Sequence, residues 1–85
     1  MTDQKITLTI IVGTVPTTVE TNANAALASV IEKALNEAQQ IGQPPDQWEL
    51  KDEPGNVLEP QKKPSDYGLL NGATLYLSLK AGIGG

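Results

Sequence analysis

The chain has 85 residues, no cysteine, no histidine, no arginine and a formal net charge of -4. That length fits one domain with a compact core, the missing cysteines and histidines exclude disulfides, thiolate metal sites and the usual general base, and catalytic and metal residues are accordingly assigned to none. The acidic balance argues against nucleic acid, whose phosphates call for a cationic face. No apolar run approaches the ~20 residues that span a bilayer. Residues Met1 to Lys5 lack a signal peptide's cationic and apolar blocks, so no membrane partner and a cytoplasmic location are expected.

In chain order, Lys5 to Val12 reads KITLTIIV, with Ile6, Leu8, Ile10 and Val12 alternating against Thr7, Thr9 and Ile11. A period of two rich in β-branched residues predicts a strand with one face in the core. Gly13-Thr14 breaks it, and Pro16 restarts a shorter run, Thr17 to Thr21, which completes a hairpin with Val19 inward. From Ala23 to Gln40 the period becomes helical. Leu27, Val30, Ile31, Ala34, Leu35 and Ala38 form one stripe, while Glu32, Lys33, Asn36 and Glu37 hold the opposite face. Asn22 or Asn24 is the expected N-cap, and Gly42 with Pro44-Pro45 the stop. The stripe needs a sheet to lie against.

Pro44-Pro45-Asp46 predicts a stiff turn and Gln47 to Lys51 a strand, with Trp48 and Leu50 facing one way and Glu49 and Lys51 the other. Trp48 fits either core packing or an exposed recognition role. Glu53-Pro54-Gly55-Asn56 is a turn, because proline fixes φ and glycine or asparagine accepts positive φ. Val57-Leu58 is a brief strand. Residues 60 to 73 read as a surface loop with one helical turn near Ser65-Asp66-Tyr67, and Lys62-Lys63 as solvated loop charge. Asn71-Gly72 turns the chain into Thr74 to Leu79, where leucines alternate with polar residues in a second long strand. First and last strands together form the expected centre of a sheet crossed by one helix.

The chain closes on Lys80-Ala81-Gly82-Ile83-Gly84-Gly85. Two terminal glycines arise by chance in about 0.5% of chains at average usage. A terminal carboxylate is ionised near neutrality, and glycines pass through channels too narrow for side chains. An enzyme could adenylate such a carboxylate with ATP and pass the acyl group to a thiol or amine. The plain alternative is the frayed end of a domain.

The order of elements, together with Gly42-Gln43-Pro44-Pro45-Asp46-Gln47, Ser65-Asp66-Tyr67, Gly72 to Leu79 and the Gly84-Gly85 end, resembles ubiquitin and the β-grasp family of ubiquitin-like proteins. The nearest subgroup is the ubiquitin-like proteins of bacterial ubiquitination-like operons. The resemblance implies an α+β fold, a β-grasp (ubiquitin-like) roll with a mixed four- to five-stranded sheet and one main helix across one face. It divides the chain into a domain over residues 1–79 and a tail over 80–85. It further implies a protein modifier that is a substrate of enzymes and not an enzyme. Gly85 becomes the acyl donor and Gly84 the residue that lets it through the enzyme's channel, while Lys80, Ala81, Gly82 and Ile83 present the tail. The implied partners are an E1-like activating enzyme that uses ATP, an E2-like conjugating enzyme, a deconjugating protease and target proteins. No cofactor is implied for the chain itself. Tyr67 matches a tyrosine that pins its loop through the hydroxyl.

This sequence departs from the family pattern in three ways. Where ubiquitin carries an apolar patch on the outer sheet face, Glu49, Lys51, Tyr76 and Ser78 form the expected noncovalent surface, so ordinary ubiquitin receptors should bind it little. The tail is one residue longer, with Ala81 and Ile83 replacing leucine and arginine, which points to a dedicated cognate activating enzyme. Asn56 and Asn71 stand near the usual chain-building lysines, leaving Lys5, Lys33, Lys62 and Lys63 for that role. Two other readings share the fold. One is the sulfur carriers of thiamin and molybdopterin synthesis, whose Gly-Gly end becomes a thiocarboxylate; the other is a noncovalent ubiquitin-like interaction module.

Overall fold

A computed structural model describes residues 5–39 and 44–80. Strict alternation dictates the first strand, β1 (Lys5–Val12), which buries Ile6, Leu8, Ile10 and Val12 on one face. Gly13-Thr14 returns the chain as β2 (Val15–Asn22), antiparallel to β1 from Lys5↔Asn22 to Val12↔Val15. This strand starts before Pro16, contrary to the expected restart after it. β2 is an edge strand, where proline is tolerated because its missing N–H can face away from the ladder.

The helix is shorter than the periodicity predicts. α1 spans Leu27–Glu37, not 23–40, and buries Leu27, Val30, Ile31, Ala34 and Leu35. Neither asparagine caps it. Asn22 Oδ1 accepts the Asn24 N–H at 2.9 Å, closing a local turn, and Ala26 holds the N-cap position without a side-chain bond. The orphan donors of the first turn find partners in a distant loop: Leu27 N–H donates to Lys62 O at 2.8 Å and Ala28 N–H to Pro60 O at 2.9 Å. At the other end, Gln39 takes φ 60, in the left-handed region. The expected stop at Gly42 lies outside the described residues, as does Gln40.

After a single 3-10 turn at Pro45–Gln47, β3 (Trp48–Lys51) enters the sheet. The following turn is organised by Asp52, whose Oδ1 accepts the N–H groups of Gly55 and Asn56 at 3.1 and 2.7 Å. β4 (Val57–Leu58) pairs only with Leu50 and Lys51. A second 3-10 turn, Pro64–Tyr67, stands where one helical turn is expected, and Asp66 Oδ2 accepts the Lys63 N–H at 2.9 Å at its start. Asn71-Gly72 then ties the loop to β1. Asn71 Oδ1 accepts the Thr7 N–H, Gly72 N–H donates to Thr7 O, each at 2.7 Å, and Gly72 has φ 89, which glycine alone adopts without strain.

β5 (Thr74–Leu79) runs parallel to β1 and antiparallel to β3. The sheet order β2-β1-β5-β3-β4 sets first and last strands side by side, with β5 at the centre. The fold is therefore an α+β β-grasp with a mixed five-stranded sheet and one helix. Leu8, Ile10, Leu50, Leu75 and Leu77 meet the α1 stripe in a single core. Leu79, inward by alternation, is 41% exposed, because it stands at the strand end opposite Trp48.

Candidate functional site

The expected conjugation site follows β5 in the sequence. Gly84 and Gly85, with Ala81, Gly82 and Ile83, lie outside the described residues. Lys80 is described and exposed. Its backbone N–H donates at 2.9 Å to the O of Gln47, the last residue of the 3-10 turn ahead of β3. That bond also extends the β3–β5 register, in which Trp48 faces Leu79 and Glu49 faces Ser78.

On the sheet face away from α1, register brings the four expected surface residues together. Glu49 pairs with Ser78 and Lys51 with Tyr76, two rungs apart and so on one face. Lys51 Nζ lies 3.2 Å from Glu49 Oε2, since residues two apart on a strand share a face. An exposed pair of this kind contributes about 0–1 kcal/mol. This face is less polar than the sequence suggests. Tyr76 is 40% exposed and faces Ile11 across the parallel ladder, and Val57, 56% exposed, faces Lys51. One row across the sheet thus reads Pro16, Ile11, Tyr76, Lys51, Val57. Alternation already aimed Ile11 outward, but only the strand order sets it beside Tyr76.

Two tethers hold the crossing loop. The Tyr67 hydroxyl accepts the Glu59 N–H at 2.9 Å, the pinning role implied by resemblance. Ser65 N–H donates to Ala23 O at 3.0 Å, joining the same loop to the segment ahead of α1. Of the two readings of Trp48, packing holds: the side chain belongs to the core and is 8% exposed. Its buried indole N–H has no acceptor among the described residues. Lys5, Lys33, Lys62 and Lys63 are all exposed, with Lys33 Nζ donating to Glu20 O at 3.2 Å.

Known proteins share both the sequence and the fold. The chain belongs to the DUF2604 family, described as a protein of unknown function, whose model matches residues 1–85. It is 47% identical over 81 residues to the uncharacterized protein y4jI of Sinorhizobium fredii (strain NBRC 101917 / NGR234), covering 95% of this chain and 62% of that protein. The chain therefore spans less than two thirds of that relative's length. Among solved structures it is similar to Caldiarchaeum subterraneum ubiquitin, with a TM-score of 0.75 and 23% identity over 95% of this chain and 99% of that one. The ubiquitin-like domain of an Arabidopsis thaliana protein matches with a TM-score of 0.74 and 20% identity, covering 92% of this chain and 80% of that one. At such identities the likeness establishes the ubiquitin-like fold.

Proposed function

We propose that this chain is a ubiquitin-like protein modifier whose Gly85 carboxylate is activated and joined to target amines. An E1-like enzyme binds ATP, the carboxylate attacks the α-phosphorus, and pyrophosphate leaves. A thiolate of the enzyme then attacks the acyl carbon and releases AMP, leaving a thioester. An E2-like enzyme receives the acyl group, and a target amine displaces the thiol to form the amide. A deconjugating protease hydrolyses that amide with water, returning the Gly85 carboxylate and the free target amine. The chain supplies no catalytic group; it supplies a rigid handle and an acyl donor.

The observation that carries this reading is Lys80. Its backbone is bonded to Gln47 O at 2.9 Å, its side chain is exposed, and the sequence Ala81-Gly82-Ile83-Gly84-Gly85 follows directly. A charged residue fixed at the root of a glycine-rich segment gives an activating enzyme something to read beside the group on which it acts.

The test is expression of N-terminally tagged protein in its own cells. Conjugates of higher mass on a denaturing gel, lost on deletion of Gly85 and on Gly84→Trp, are expected. A single unconjugated band in all three lanes would remove the modifier reading. Free chain ending in a thiocarboxylate would replace it with sulfur transfer.

A further inference from the structure

A groove opens where α1 passes the outer edge of β3 and β4. Ile31, Trp48, Leu50 and Leu58 form its apolar floor, Ala28 stands on its helical wall, and its volume is about 400 Å³. The groove follows from how the β3–β4 ladder ends. Leu50 pairs with Leu58, and two rungs further that register would set Trp48 against Pro60. Proline has no N–H to give a ladder, and the Pro60 carbonyl is committed to Ala28 N–H at 2.9 Å. The chain therefore leaves β3 after two rungs, and beside Trp48 no further strand of the described residues follows, the Trp48 backbone N–H being bonded to Pro45 O.

Charge selects what fits. Glu32, Asp46 and Glu59 border the groove, against Lys80 as the one cation of its lining among the described residues. Glu49 also borders it, with its carboxylate already on Lys51 Nζ at 3.2 Å. The whole chain carries -4, which adds attraction for a cationic partner at longer range. The chain's own residues 81–85 contain no basic side chain, so they lack the charge this border favours.

We propose that this groove docks an extended peptide segment of a partner protein, with aliphatic residues at alternate positions and lysine or arginine beside them. Alternate side chains of an extended segment share one face about 6.5 Å apart, which sets two of them onto the floor while the basic residues beside them reach Glu32, Asp46 and Glu59. The apolar floor supplies affinity and its acidic border supplies selectivity. The proposal does not rest on the chemistry of Gly85, although Lys80 borders the groove as well as preceding the tail.

The probe is a random peptide library displayed on phage and selected against the intact chain, with enriched sequences synthesised and titrated by the emission of Trp48, the sole tryptophan. Enriched peptides should carry alternating aliphatics next to lysine or arginine, and should shift that emission on binding. Ala28→Phe, which fills the groove from an exposed helical position, should weaken them by at least about tenfold, and so should Glu32→Lys combined with Glu59→Lys. An unchanged far-UV spectrum certifies each variant as folded. Failure to enrich any peptide, an uncharged or acidic consensus, or undiminished binding to Ala28→Phe would overturn the proposal. Tighter peptide binding after deletion of residues 81–85 would assign the groove to the tail instead, and overturn it equally.

Discussion

The Tyr67 hydroxyl accepts the Glu59 backbone N–H at 2.9 Å, and this bond fixes the loop whose Pro60 and Lys62 carbonyls cap α1. One side-chain oxygen thereby supports the start of a helix that supplies no cap of its own. Tyr67→Phe should cost about 0.5–1.5 kcal/mol in chemical denaturation, the range for one hydrogen bond. Amide exchange at Glu59, Leu27 and Ala28 should quicken together. An unchanged midpoint with unchanged exchange at Leu27 and Ala28 would separate the tyrosine from the helix cap.

Leu77 and Leu79 test where the core stops. Leu77 is 1% exposed at the centre of the sheet, so Leu77→Ala should cost about 2–5 kcal/mol. Leu79→Ala, at an exposed strand end, should cost less than about 1 kcal/mol, as only part of its surface leaves water. Equal losses in urea denaturation would contradict the register of β5.

Gln39 holds a left-handed conformation with φ 60 just after α1. The left-handed region costs a residue with a Cβ roughly 1–2 kcal/mol, and glycine is the usual occupant after a helix C-cap. Gln39→Gly should raise stability by about 0.5–1 kcal/mol, the flexibility glycine adds to the unfolded chain offsetting part of the gain. A lowered thermal midpoint would show that Gln39 carries compensating contacts.

The tail should contribute to chemistry and not to folding. Deletion of Gly85, or Gly84→Trp, should abolish conjugation and leave the thermal unfolding midpoint within the ±0.5 kcal/mol expected of changes outside the core. A large drop in midpoint would make the tail part of the fold.

Local pattern carried much of the architecture. Alternation in Ile6 to Val12 and in Thr74 to Leu77 located the two longest buried faces, and the helical stripe from Leu27 to Leu35 located what covers them. Local pattern failed where a long-range bond decides. The start of α1 depends on carbonyls more than thirty residues away, Pro60 and Lys62, so the nearby asparagines looked like caps while Asn22 was committed to the Asn24 N–H. The groove was equally hidden, because it arises from a ladder that ends at Pro60 and not from any motif. The outer-face residues Glu49, Lys51, Tyr76 and Ser78 were legible from alternation, whereas their neighbours Ile11 and Val57 required the strand order.

The most direct test of the modifier assignment is mass spectrometry of N-terminally tagged protein recovered from its own cells and digested with trypsin. Cleavage after Lys80 leaves Ala81 to Gly85 as a branch on any conjugated amine. The account predicts target peptides carrying that branch through an amide to Gly85. Recovery of the same terminus only as an unbranched carboxylate, with companions released by denaturant, would contradict it.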